Sequence, residues 1–272
     1  MHPLSSANER AALAFLDGAP FDNVFLTWMI ENDRGAAARS SLFVYAGASA
    51  EIRGVAFFGR QVVLAASEED AARALAAAAP LNHFERMIVG PRRAVDWYWT
   101  HVRYRHRPAR LVRDTQPLFA VDAASLKSFD EPRVHVRMAL AGEWQTVADN
   151  SALMIEHELE YDARRANSNF DANVRVMIDR GLWWVGEREG SLCFFCSCGP
   201  RSAQTLQLQG IWVPPPLRGR GLASAALSGV CEELLADVPT LSLYVNSFNE
   251  RAVALYERTG FRRAGVLKTM LF

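Results

Sequence analysis

One short segment of this 272-residue chain has the composition of an anion-binding turn. The sequence Arg218-Gly-Arg-Gly221 follows an apolar run and precedes a helix expected to begin near Leu222. A glycine-rich turn at the amino end of a helix presents unpaired backbone N–H groups, and the helix dipole adds partial positive charge. Gly219 and Gly221 keep side chains away from a ligand, while Arg218 and Arg220 can add charge-assisted contacts. The segment predicts a phosphate site, but by itself it is equally compatible with an ordinary turn.

A second segment, Asn249 to Phe261, contains a tyrosine on a predicted helix. Helical spacing places Ala252, Leu255 and Tyr256 on one face, so the Tyr256 phenol can point inward toward a groove. The alternative is that Tyr256 is an aromatic core residue beside Leu255. For Asn249, a ligand contact and a helix cap are both compatible with the sequence.

Together these segments resemble the GNAT superfamily of N-acetyltransferases. Arg218, Gly221 and Ala223 occupy the three specified positions of its Q/R-x-x-G-x-G/A pyrophosphate pattern. The later segment matches its N-x-x-A-x-x-L-Y-x-x-x-G-F pattern from Asn249 to Phe261. The correspondence covers about residues 210–262, and compatible element order extends it back to about residue 133. Within the superfamily, this half resembles the glycine N-acyltransferase-like branch most.

The resemblance implies acetyl-CoA as co-substrate and no metal. It implies that the strand end before the loop pairs with the pantetheine arm, and that the loop amides receive the pyrophosphate. The implied cofactor contacts are Ile211, Trp212, Val213, Arg218, Gly219, Arg220, Gly221, Leu222, Ala223, Asn246, Asn249 and Tyr256. By the same resemblance, the Val213 amide would polarise the thioester carbonyl and Tyr256 would protonate the departing thiolate.

The sequence gives the least evidence for the identity of the general base. An attacking ammonium must first lose a proton, and GNAT enzymes often use a glutamate for this step. On the strand before the loop stand Gln207 and Gln209, which cannot act as bases. The nearest acidic cluster, residues 156–160, lies near the end of a helix, and Glu158 is the preferred base because it resembles a glutamate of the acyltransferase-like relatives. A solvated helix face explains this cluster equally well.

The elements that position these residues follow a clear order in the second half. Hydrophobic periodicity and turn residues predict βααβββαβαβ from about residue 133 onward, and the first half has similar ingredients in less distinct form. We therefore expect an α/β chain of tandem GNAT-like domains, each a mostly antiparallel twisted sheet flanked by helices. Residues 1–125 would form a degenerate accessory domain without a glycine-rich loop, and residues 133–272 the catalytic domain. Less distinct predictions include strands at 84–89 and 117–121.

Composition excludes several other classes of protein. The chain has 30 basic and 30 acidic residues and is 50% hydrophobic, which argues against disorder and against a nucleic-acid partner. No apolar stretch has the length of a membrane span and no signal peptide is visible, so we expect a cytoplasmic protein. The arginine-rich run from His101 to Arg113 is interpreted as a solvated loop or strand face. Strand alternation would place Cys193 opposite Cys196 and Cys198, as buried thiols rather than metal ligands.

The sequence thus predicts transfer of an acetyl group from acetyl-CoA to a primary amine of a small molecule or peptide. One alternative is the use of a longer acyl-CoA or an amino-acid acceptor. The other is a noncatalytic acyl-CoA-binding regulatory module, because the strand glutamate is missing. The sequence indicates neither the acceptor nor the oligomeric state.

Overall fold

The computed structural model describes residues 1–32, 40–80, 86–129 and 131–272. In these ranges the first half forms β1 (His2–Pro3), α1 (Glu9–Asp17), α2 (Pro20–Asn32), β2 (Leu42–Ala46), β3 (Ile52–Phe58), β4 (Gln61–Ala66), α3 (Glu69–Ala78), β5 (Met87–Pro91), α4 (Arg92–Val102) and β6 (Leu111–Asp122). The second half forms β7 (His135–Met138), α5 (Trp144–Leu159), α6 (Ala163–Ala166), α7 (Phe170–Asp179), β8 (Trp183–Arg188), β9 (Ser191–Arg201), β10 (Leu206–Trp212), α8 (Leu222–Leu235), β11 (Thr240–Tyr244), α9 (Glu250–Arg258) and β12 (Arg262–Leu271). Apart from the short helix α6, the two halves have the same order of elements.

All twelve described strands lie in one sheet, in the order β1-β2-β3-β4-β5-β12-β6-β11-β10-β9-β8-β7. The first five strands of each half follow one another inward from one edge of the sheet. The sixth strand of each half lies in the other half: β12 pairs with β5, and β6 pairs with β11. The two exchanged strands also pair with each other at the centre of the sheet. The sheet is therefore continuous across both halves.

The sheet is antiparallel except at two places, where β4 pairs with β5 and β10 pairs with β11. Parallel neighbours need a crossover connection, and α3 and α8 supply these two crossovers. Helices cover both faces of each half, because separate hydrophobic clusters form against the pairs α1–α2, α3–α4, α5–α7 and α8–α9. The expected α/β fold, with a largely antiparallel sheet flanked by helices, is confirmed.

Several local expectations need correction. The structure adds β1, α1 and α6, which the sequence analysis did not assign, and β6 begins at Leu111 instead of residue 117. Residues 84 and 85 of the expected strand 84–89 lie outside the described ranges, and the described strand β5 runs from Met87 to Pro91. The arginine-rich run is not one solvated face, because its last residue, Arg113, is buried within β6.

The expected placement of Cys193 is also wrong. A register shift in the β8–β9 pairing inserts Cys193 between the partners of Gly186 and Glu187, so it joins Cys196 and Cys198 in one core cluster. All three are buried free thiols, as is Cys231. Within the described ranges, no group of three His, Cys, Asp or Glu side chains is placed to hold a metal ion. In the same part of the chain, no helix combines the length and apolar character needed to cross a bilayer.

Candidate active site

A gap opens in the sheet between the parallel strands β10 and β11. They pair at Leu206–Leu241 and Gln207–Ser242, but not beyond, although the strands continue to Trp212 and Tyr244. Over the same stretch β10 contains a bulge: the four residues from Gln209 to Trp212 lie opposite three residues of β9, Phe195 to Ser197. Gly210 adopts a φ of 61°, which favours glycine, within this bulge. The bulge and the lost pairing turn the end of β10 away from β11.

The gap widens into a cavity with a volume of about 420 Å³. Five of the residues expected to form the site line this cavity: Glu158, Ile211, Asn246, Asn249 and Tyr256. Its remaining wall comes from both halves of the chain and includes Gln61 of β4, Met87 of β5, Arg113 and Gln116 of β6, and Thr269 of β12. The strand exchange is what brings β6 and β12 to this place. The cavity is thus built by the whole chain.

Tyr256 is held in the cavity wall by its ring. The ring packs against Phe119 and Phe261, with centroid distances of 5.9 Å to each. Among the described residues the Tyr256 hydroxyl has no hydrogen-bond partner. Burial raises the pKa of Tyr256 well above its ordinary value, and the negative charge of Glu158 raises it further. The phenol is therefore protonated at neutral pH and available to donate its proton.

Glu158 lies on the last turn of α5 and keeps contact with solvent while lining the cavity. The surrounding protein desolvates its carboxyl group and raises its pKa, an effect opposed by the positive charges of Arg113, His157 and Arg218. A carboxylate with a raised pKa is a stronger base, which is what proton removal from an amine requires. The strand residue Gln209 lines the same cavity but donates a hydrogen bond to Gln207 Oε1 at 3.0 Å.

Sequence reasoning missed five polar residues of the cavity, namely Gln61, Arg113, Gln116, Tyr244 and Thr269. Tyr244 is a second phenol in the wall, and burial raises its pKa too. Gln116 joins a buried chain of hydrogen bonds: Thr269 Oγ1 donates to Gln116 Oε1 at 2.6 Å, and Gln116 Nε2 donates to Asn246 Oδ1 at 3.1 Å. Arg113 donates a hydrogen bond from Nη2 to the backbone carbonyl of Glu158 at 2.5 Å. The two polar residues of β6, Arg113 and Gln116, occupy buried positions that a hydrophobic pattern does not mark.

The glycine-rich loop lies beside the cavity, not in its wall. Gly219 and Gly221 both have φ of 77°, and Gly221 is the N-cap of α8. Within the described chain, the five amides from 219 to 223 have no acceptor, while Leu222 places its side chain in the core. These unpaired amides at a helix amino terminus can bind an anion, as the composition predicted.

Arg218 and Arg220 differ in their surroundings. The Arg218 guanidinium lies 4.3 Å from the centre of the Trp212 ring and donates from Nε to the Val213 carbonyl at 2.9 Å. Arg220 is exposed. The Val213 amide has no backbone acceptor within the described ranges, so it remains available beside the strand end. Asn249 caps the amino end of α9, because its side chain accepts a hydrogen bond from the Ala252 amide at 3.2 Å. Asn249 also lines the cavity.

The described site can therefore hold a long molecule with an anionic end. Unpaired amides at residues 219–223 would face its phosphates, and the free edge of β10 at Ile211 to Val213 would pair with an amide-containing arm. Its reactive end would then reach the cavity that contains Glu158 and Tyr256. These features fit acetyl-CoA.

Comparisons with known sequences agree with this geometry. Residues 145–261 match the acetyltransferase (GNAT) family, and residues 41–147 match a domain of unknown function (DUF4081). A mycothiol acetyltransferase from Acidimicrobium ferrooxidans is 40% identical over 104 residues. That alignment covers 34% of this chain and 34% of the relative, so the chain matches about a third of the relative's length.

Solved structures resemble the whole chain in fold. A Drosophila protein superposes with a TM-score of 0.68 at 14% identity, covering 100% of this chain and 98% of its own. A GNAT-family acetyltransferase from Colwellia psychrerythraea gives 0.60 at 11% identity, covering 99% of this chain and 98% of its own. A GCN5-related N-acetyltransferase from Kribbella flavida gives 0.60 at 12% identity, with coverage of 93% and 94%. Over residues 145–261 this chain is thus similar to the acetyltransferases of the GNAT family.

Proposed function

We propose that this chain is an N-acetyltransferase that moves the acetyl group of acetyl-CoA to a primary amine by direct attack on the thioester. The observation that carries the proposal is the convergence of Glu158 and Tyr256 on one cavity at the divergence of β10 and β11, next to a loop of unpaired amides. The name of the mycothiol acetyltransferase relative supports an acetyl donor.

The residues divide the chemistry among them. Glu158 removes a proton from the ammonium form of the acceptor, and its raised pKa suits it to that role. The Val213 amide donates a hydrogen bond to the oxygen on which negative charge develops. The Tyr256 phenol gives its proton to the sulfur atom that leaves. The amides of residues 219–223 hold the pyrophosphate, and Asn246 and Asn249 contact the arm that connects it to the thioester.

The first half serves as the accessory domain of a tandem arrangement. Its helix α3 occupies the place that α8 has in the second half, but Glu68, Glu69 and Asp70 stand at its amino end. Three carboxylates at that position repel phosphate, so we assign no cofactor to this half. We also propose that the two domains span residues 1–125 and 133–272, and that the second belongs to the glycine N-acyltransferase-like branch.

The experiment that tests the proposal measures release of free CoA thiol by the full chain, with acetyl-CoA and a broad panel of amines. We expect at least one amine to raise the rate well above background hydrolysis and to yield the N-acetyl product by mass spectrometry. Tight CoA binding without turnover for any amine would instead support the noncatalytic alternative. Competition between acetyl-CoA and longer acyl-CoAs in the same assay tests the choice of acyl donor.

A further inference from the structure

The strongest unexplained feature of the cavity is the guanidinium of Arg113. This residue is only 9% exposed and lines the cavity with a permanently charged group that carries five N–H donors. One of its nitrogens donates to the Glu158 carbonyl at 2.5 Å. Its Nε is buried and has no partner among the described residues. A buried, charged donor without an acceptor is costly, so the site is incomplete without a further group.

No carboxylate of the described chain supplies that group. Arg113 takes part in none of the salt bridges between described residues, although Glu158 and Glu160 are close enough to raise its pKa. The bond to the Glu158 carbonyl caps the end of α5 and uses only one donor. Capping alone therefore does not account for a buried arginine that faces the cavity.

We propose that the acceptor amine carries a carboxylate close to its nitrogen, and that Arg113 binds this carboxylate while Glu158 takes the proton from the nitrogen. This inference rests on the proposed function. The arginine fork can bind both oxygens of a carboxylate through the N–H groups that the Glu158 carbonyl leaves free. Because Arg113 is bonded to the backbone of Glu158, the amine and the carboxylate must lie only a few bonds apart, as in an amino acid.

The surface next to the cavity carries positive charge, as Arg113 does. An adjoining cleft of about 780 Å³ shares Leu271 with the cavity and is lined by Arg86, Arg107, Arg110 and Arg165. Asp162 is the one acidic residue in its described lining, and it pairs with Arg165 at 3.3 Å. A cleft of this charge attracts anions and raises their local concentration, an effect that added salt weakens. An anionic acceptor is therefore concentrated in this cleft before it reaches Arg113.

The test compares matched acceptors in the full chain. Alanine, serine, glutamate and phenylalanine are each assayed with acetyl-CoA beside the corresponding α-carboxamide, and rates are corrected for the fraction of free amine. We expect kcat/KM for at least one acid to exceed that for its carboxamide by about tenfold or more, the range of a charge-assisted hydrogen bond. We also expect this preference to shrink as salt is raised. If the amines react but acids and carboxamides do so within threefold of each other, the inference is overturned.

Substitution of Arg113 then assigns the preference to this residue. Arg113→Met should reduce the preference for the acid by about tenfold or more and leave the KM for acetyl-CoA within twofold. Arg103→Met, which removes an exposed arginine of the same run, is the matched control and should keep the wild-type preference. Retention of the preference by a folded Arg113→Met, shown by unchanged melting and CoA binding, would refute the role. If that variant does not fold, Arg113→Lys decides, because it keeps the charge and loses the fork. An undiminished preference in Arg113→Lys counts against the inference.

The two proposals fail in different ways. If neither acids nor carboxamides nor any other amine is acetylated, the proposed acetyltransferase activity fails. If amines are acetylated without discrimination by carboxylate, only the assignment of Arg113 fails.

Discussion

Removal of one oxygen atom from Tyr256 isolates the proposed acid from the rest of the site. Tyr256→Phe keeps the ring that packs against Phe119 and Phe261 at centroid distances of 5.9 Å. The lost hydroxyl has no hydrogen-bond partner in the described chain, so its removal leaves no unpaired protein group. We therefore expect the free energy of unfolding to change by less than about 1 kcal/mol, the worth of one hydrogen bond.

The expected effect on catalysis is much larger. A positioned general acid contributes a factor of about 10² to 10⁴, which corresponds to about 3–5 kcal/mol of barrier. Because burial raises the Tyr256 pKa well above its ordinary value, essentially every molecule carries the phenolic proton at neutral pH. The substitution should therefore lower kcat by at least about 100-fold, while the KM for acetyl-CoA stays within threefold because the ring still fills the wall.

The assay is steady-state release of CoA thiol with the best amine found, with melting curves on the same preparations. Tyr244→Phe is the matched control, since Tyr244 is also a buried phenol that lines the cavity. We expect this control to retain kcat within a few-fold. A wild-type kcat in Tyr256→Phe, or a greater loss in Tyr244→Phe, would remove Tyr256 from its role.

Three further predictions concern the loop, the base and a buried acid. Gly219→Glu should weaken CoA binding, measured by calorimetry, by about tenfold or more relative to Gly219→Ala. The alanine variant is the control because it has the same backbone strain at φ 77° and lacks the negative charge. Equal affinities of the two variants would exclude a phosphate site at the loop. Glu158→Gln should lower kcat/KM and abolish the acid limb of the pH profile of kcat/KM. In the wild type the pKa of this limb should lie above the ordinary glutamate value of 4.5, and a limb that persists in the variant belongs to another group. Asp22→Asn should raise the free energy of unfolding in urea by about 1–2 kcal/mol at pH 7.5, allowing for solvent screening, and by little at pH 4. The reason is that burial raises the Asp22 pKa from 3.8 to about 6, so the native state favours the protonated acid and loses that advantage as pH rises; a gain that does not vary with pH contradicts this explanation.

Much of the second half could be predicted because its local patterns agree with its tertiary structure. The helix α8 begins where the glycine turn predicts, at Leu222, and α9 follows its cap at Asn249. The exchange of β6 and β12 could not be predicted in this way. Which strand lies beside which depends on contacts across more than a hundred residues, and both strands carry patterns that satisfy either neighbour.

The missed part of the site has a more specific cause. The hydrophobic pattern does not predict a strand over residues 111–116, because buried positions there carry Arg113 and Gln116 in place of apolar side chains. A hydrophobic pattern fails at functional positions, where polar groups face inward for reasons other than stability. For the same reason the arginine-rich run predicts a solvated face, although its last residue, Arg113, lines the cavity. The glycine-rich loop was predictable because the positive φ angles of Gly219 and Gly221 favour glycine.

The strand exchange also gives the first half a structural part in the cavity. β6 lies between β11 and β12, pairing with both, so removal of the first half would expose the edges of two central strands. The same removal would delete Arg113 and Gln116 from the cavity wall, together with Gln61 and Met87. The first half thus completes the sheet and supplies the polar groups next to the proposed acceptor site. Under the proposed function, differences in acceptor choice among chains of this architecture should therefore map to β6 as well as to residues 145–261.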